Sequence, residues 1–146
     1  MRTVFIIFLL LSVAVIDCRT LRIPDPILIV LFLGAVLFDL VGNNFFPIIH
    51  LFAAIVVFTL FFAVFYFSGG LGFGDVKFAA VLAYILGPGK ALFAFLLASF
   101  CAILFFLPGM IFLHWAKDTK VPFAPFLSLG AIVALTIQID FSGFFT

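Results

Sequence analysis

FSGGLGFGDVKFAAVLAYILG, Phe67 to Gly87, breaks an apolar chain with four glycines in six residues and then sets Asp75 and Lys77 where the apolar pattern resumes. The surroundings decide how that stretch is read. Of 146 residues, 68% are hydrophobic and 9% charged, with a mean hydropathy of +1.53. A soluble domain carries about 25% charged residues, so this is the composition of a membrane protein. The formal net charge is +1 and there is no Lys/Arg run to follow a phosphate backbone, so nucleic acid is set aside as a partner. Cys18 and Cys101 stand far apart without a Cys-x-x-Cys, which argues against a zinc ribbon or a disulfide framework. His50 and His114 lie on opposite sides, so no metal site or Cys/His nucleophile is expected.

Outward from the glycines, short polar or Gly/Pro breaks divide the chain into six apolar segments: Thr3–Ile16, Pro26–Leu40, Pro47–Phe67, Asp75–Leu86, Ala91–Trp115 and Pro122–Ile139. The expectation is an all-α bundle of about six transmembrane helices forming a single domain over residues 1–146. The first, second and fourth segments fall short of the ~20 residues of a bilayer crossing, so they should extend into their flanks or end in a wet, protein-lined cavity. The opening residues resemble a secretory signal, but VIDCRT puts a charge where a small-residue cleavage site belongs, which points to a retained first helix.

Basic residues orient the bundle. Arg19, Arg22, Lys77, Lys117 and Lys120 fall on one side, Arg2 and Lys90 on the other, and the richer side is expected to be cytoplasmic. Asp17, ending the first segment, and Asp75, starting the fourth, then reach the same cytoplasmic membrane level.

Carboxylates at the edge of hydrocarbon call for an explanation. Two close ones can share a proton, one activating water while the other acts as acid, the division of labour of aspartic proteolysis. Glycines beside them would admit a substrate backbone and allow turns closed to other residues. The other reading has Asp17 paired with Arg19 or Arg22 and Asp75 as a helix N-cap. Residue types alone leave both open. IPDPIL places Asp25 as an N-cap with Pro26 at the first helical position, and Asp39 and Asp140 are expected to be solvated at the outer face. Helix-end fields would make Asp17, at a negative C-terminus, the proton holder and Asp75, at a positive N-terminus, the base.

GLGFGD, Gly70 to Asp75, resembles the G-x-G-D motif of the type IV prepilin and preflagellin peptidases, and VKFAAVLAYILG resembles the continuation of that motif. IDCRTLRIPDPI is similar to the segment carrying the family's first aspartate, and KVPFAPFLSLGA to the block that opens its last helix. The resemblance implies that Asp17 and Asp75 are the catalytic aspartates and that Gly70, Gly72, Gly74, Lys77, Pro122 and Pro125 bind substrate or support the loops. It implies a peptidase that needs no cofactor and cuts the basic leader, after a glycine, from prepilin or pseudopilin precursors at the cytoplasmic face of the inner membrane. Ala124 stands where the family usually has glycine, which would alter the packing of the last helix if that site needs positive φ. The paired-cysteine region that accompanies N-methylation in longer relatives does not occur in these residues, so methyl transfer is not expected of them. Two alternatives are a non-catalytic scaffold or ion-conducting bundle of a pilus or secretion system, and a signal-peptide-peptidase-like protease. The second should carry Tyr-Asp and Pro-Ala-Leu, where this chain has Ile16-Asp17 and PFAPFL.

Overall fold

The computed structural model describes residues 1–42, 48–68, 71–112 and 122–137, which form five helices: α1 (Arg2–Thr20), α2 (Asp25–Val41), α3 (Ile48–Ser68), α4 (Phe73–Phe112) and α5 (Ala124–Thr136). No strand occurs among the described residues. Arg2–Thr20, Ile48–Phe67 and Phe73–Pro108 are long and apolar enough to cross a membrane, and the protein is an all-helical, multi-pass membrane protein. Hydroxyls on these helices bond within their own turns: Ser12 to the Phe8 carbonyl and Thr59 to the Ile55 carbonyl, both at 2.9 Å. Lipid offers no other partner for them.

Five elements stand where six segments are expected, and the difference lies in α4. The 36 residues from Phe73 to Pro108 would run about 54 Å if straight, against ~30 Å of hydrocarbon. They do not run straight, because Gly87 breaks the helical geometry with φ 74° and ψ 170°, a region essentially reserved for glycine. Phe73 packs on Phe62 and Phe65 of α3, whereas Lys90 shares a cavity with Arg2 at the opposite end. Phe105 and Phe106 are then back against Phe126, near the start of α5. Residues 73–86 and 88–112 are therefore two antiparallel limbs. Pro88 has no N–H to give the Tyr84 carbonyl, and Nδ1 of His50 donates to that carbonyl instead, at 2.8 Å. One side chain of α3 thus repairs the bend.

Small residues let the second limb and α5 approach closely, as membrane helices do in the absence of a hydrophobic driving force between them. Ala91, Ala94, Ala98 and Ala102 are buried on one side, and Ala124, Gly130, Ala131 and Ala134 on the other. A Cβ on Gly130 would run into the Ala94 carbonyl oxygen. Ile6, Leu10 and Val13 of α1, Leu28 and Leu31 of α2, and Phe78, Leu82 and Tyr84 of the first limb fill the remaining core. The Tyr84 ring meets that of Phe32 edge-on at 5.1 Å. α3 is peripheral, burying only Ala53 among its described core positions and showing phenylalanines outward.

Candidate active site

Asp17 lies in the last turn of α1, and its carbonyl accepts the Leu21 N–H at 2.9 Å as the helix closes in a left-handed cap at Leu21, φ 52°. The residue is 4% exposed, and Oδ2 accepts the backbone N–H of Ala124 at 3.3 Å across 107 residues of sequence. Ala124 is the first residue of α5, and Pro125 beside it brings no N–H. The carboxylate therefore caps a helix N-terminus, one of whose orphan donors it satisfies. No ion pair joins Asp17 to Arg19 or Arg22 among the described residues, so the expected pairing is not how this acid is satisfied. Ala124 has no positive φ, and the departure from glycine there carries no backbone strain.

Asp75 is the third residue of α4, not its N-cap. Its N–H donates to the Gly72 carbonyl at 3.0 Å, and its carboxylate accepts the Gly72 N–H. This is one half of a capping box, the side chain three residues into the helix reaching back to the N-cap N–H, with Asp in place of the usual Glu or Gln and no side chain at Gly72 to complete the other half. The carboxylate is half-buried and close enough to Asp17 for the two to interact electrostatically. A Cβ on Gly72 would sit 3.0 Å from Oδ2 of Asp75, and one on Gly74 3.3 Å from the Cβ of Ile23. Neither glycine has positive φ. They are required for close approach, Gly72 by the catalytic candidate and Gly74 by the α1–α2 connection. Gly70 and Gly69 lie outside the described residues.

Asp25 is the first residue of α2, behind Pro24 as N-cap, and Pro26 is the second. The expected cap is displaced by one residue, because Pro24 already supplies the extended N-cap conformation. Freed from capping, the Asp25 carboxylate holds Nζ of Lys77 with both oxygens, at 2.8 and 2.9 Å. The same ammonium lies 4.9 Å from the Phe73 ring centre. Pro122 precedes α5, half-buried. Asp17, Arg22, Asp25, Lys77 and the two glycines line a cavity of about 360 Å³, within the ~300–1,000 Å³ of small-ligand sites. The arrangement offers two neighbouring carboxylates, each steadied by a backbone N–H, beside an open cavity with an exposed cationic rim. No group of residues suited to holding a metal ion occurs among the described residues.

Residues 4–107 match the sequence pattern of the type IV leader peptidase family. The chain belongs to the type IV leader peptidase family. A prepilin leader peptidase/N-methyltransferase of Aeromonas salmonicida is 30% identical over 136 residues, covering 88% of this chain and 46% of that protein. The protein of the same name from Bacillus subtilis strain 168 is 31% identical over 134 residues, covering 90% of this chain and 53% of that protein. The chain thus spans about half the length of the curated relatives it matches. No solved structure matches it at a significant level.

For a type IV leader peptidase chain, three site features lay beyond the sequence reading. The Ala124 amide reaches Asp17 only through the tertiary fold. Ile23 abuts Gly74, and Leu21 turns the chain at the cavity wall. The resemblance of KVPFAPFLSLGA to a family block pointed at the first of these without saying what it touched. Asp17 in the last turn of α1 and Asp75 in the first turn of α4 stand at opposite helix ends, but Asp17 also accepts an amide at the N-terminus of α5, which opposes the field of its own helix.

Proposed function

We propose that this chain is an aspartic endopeptidase that removes the short basic leader from type IV prepilin or pseudopilin precursors at the cytoplasmic face of the inner membrane. Asp17 and Asp75 form the dyad, sharing one proton. The ionised carboxylate takes a proton from water as the water oxygen bonds to the scissile carbonyl carbon, and the protonated carboxyl gives its proton to the carbonyl oxygen. Collapse of the tetrahedral intermediate breaks the C–N bond as one of its hydroxyls returns a proton to the pair and the pair gives a proton to the departing amine, which leaves the pair with one proton again. The pair titrates as a unit, with neither acid holding the proton by position alone. No cofactor enters the cycle, and methylation, where it follows, is assigned to residues other than these.

The observation that carries the reading is that Asp17, which lines the cavity, and Asp75, 58 positions on (75 − 17), lie close enough to interact, each with a backbone amide and, among the described residues, neither in an ion pair. Gly72 and Gly74 leave that wall low enough for an extended backbone to pass. Pro125 supports α5 beneath Asp17, and Lys77, committed to Asp25, supports the loop. Residues 1–146 act as one domain crossing the bilayer six times, α4 crossing twice, with both termini outside. Arg19, Arg22 and Lys77 gather at the acid end and Arg2 and Lys90 at the other, which supports a cytoplasmic acid end. Lys117 and Lys120 lie outside the described residues. The test is incubation of the purified chain with a prepilin-type precursor whose leader ends in glycine, read as the mass of the shortened product. An intact precursor would reject the peptidase. A topology reporter fused after Arg22 is expected to read cytoplasmic and one after Thr146 periplasmic, and the reverse would put the acids on the wrong face.

A further inference from the structure

We propose that the end of the bundle remote from the two acids binds a phosphate-bearing anion, in a cavity of about 390 Å³ between Arg2, Thr3, His50 and Lys90. These side chains come from α1, α3 and the second limb of α4, so only the folded bundle assembles them. Ile6 and Leu135 belong to the apolar part of the wall. The site is separate from the peptidase cavity and does not depend on its assignment.

Charge and donor count point to an anion. Arg2 is paired with Asp39 at 2.6 Å, but its side chain is 34% exposed while that of Asp39 is 3% exposed. A guanidinium has five N–H donors, and a pair made with one carboxylate leaves some of them for the open side. Lys90 makes no hydrogen bond or ion pair among the described residues, although it lines the same cavity. Among the described residues, two cations stand against one carboxylate, which leaves one positive charge uncompensated. His50 is not a competing acid, and its Nδ1 is occupied by the Tyr84 carbonyl. Thr3 adds a hydroxyl donor.

Level and shape narrow the class. Arg2 starts α1 and Lys90 follows the bend at Gly87, so both cations sit at helix ends, where a bilayer places its phosphates. A guanidinium fork beside an ammonium suits an anion with several oxygens. A lipid headgroup and free inorganic phosphate share that chemistry.

The test uses the purified full chain in a neutral maltoside detergent and counts adducts by native mass spectrometry. Phosphatidylglycerol is expected to be retained, whereas diacylglycerol, which has the same tails without phosphate, is not. Lys90→Gln should lower phosphatidylglycerol retention about fivefold, the loss expected for one interfacial cation, while Lys90→Arg keeps it and Arg19→Gln at the opposite end leaves it unchanged. Displacement by inorganic phosphate would identify a free-phosphate site, and persistence against it a lipid site. Equal retention of diacylglycerol, or full retention by Lys90→Gln, overturns the proposal. Lys90→Gln should cut a prepilin leader at the unaltered rate, which keeps this result apart from the fate of the peptidase assignment.

Discussion

At one end of the bundle Asp17 is buried against a backbone amide with no cation among the described residues in ion-pair range, and at the other Asp39 is buried as deeply against the guanidinium of Arg2. Both are acids near the end of an apolar helix, yet their surroundings fit them for different work. A carboxylate locked to a guanidinium is neutralised and holds two helices together. A carboxylate satisfied by an N–H, with a second acid beside it, can still exchange a proton with water or substrate. Burial therefore does not distinguish the acid proposed to react from the acid that pairs with Arg2. The partner does.

The sharpest way to break the contrast is to remove one charge at a time. Asp17→Asn and Asp75→Asn keep shape and accept the same amides, so the bundle should still form, while leader cleavage should fall by about 10³-fold or more, as for loss of a general acid or base. Release of leader by either variant within tenfold of the unaltered rate, read by mass, would end the dyad. At the far end Gly87→Ala should act on stability alone. Its φ of 74° and the 2.6 Å approach of an added Cβ to Nε2 of His50 should cost about 3 kcal/mol, seen in an unfolding titration in mixed micelles, with cleavage per folded molecule unchanged. Loss of cleavage in the folded variant would mean that the two ends are coupled.

Much of this contrast could not be read along the chain. Apolar segments separated by Gly/Pro breaks exposed an all-helical membrane protein, because lipid imposes length and composition on each span. Gly87-Pro88-Gly89 was legible as the break between two crossings, though not the packing that brings Phe105 and Phe106 to the start of α5. Asp39 looked solvated because it falls near the end of its segment, and only the antiparallel packing of α1 on α2 brings Arg2, 37 residues away, to its side. Asp140 and His114 lie outside the described residues. The acids of the site were visible as residue types at one membrane level, but the amide that anchors Asp17 was not, since an N–H looks the same in every sequence. For the glycines the location was right and the reason incomplete, as Gly72 and Gly74 serve close approach and not positive φ.

Asp39→Asn tests the structural acid directly. It leaves Arg2 without its carboxylate, and because the guanidinium is one third exposed the loss should be about 1–2 kcal/mol, less than the 3–5 of a fully buried pair. Cleavage should persist. An inactive but folded Asp39→Asn would move the far end into the machinery and undo the separation drawn between the two acids.

The smallest effect is expected at Asp25, which tests the rule within a single end of the molecule. It shares the cavity with Asp17, and a sequence reading by residue type alone would treat the two alike. Its carboxylate differs on both counts that matter, being 60% exposed at the side chain and paired with Lys77, itself 36% exposed. An exposed pair of this kind contributes about 0–1 kcal/mol, and an acid in the first turn of a helix adds a few tenths through the helix dipole. Asp25→Asn keeps one hydrogen bond to Lys77 and should leave both stability and leader cleavage within about threefold of the unaltered protein. High salt should shrink even that difference, because exposed charges are screened over about 10 Å at 0.1 M ionic strength. A loss at Asp25→Asn comparable to that at Asp17→Asn would mean that the Asp25–Lys77 pair takes part in the chemistry, and that pairing with a cation does not, after all, retire an acid from the reaction.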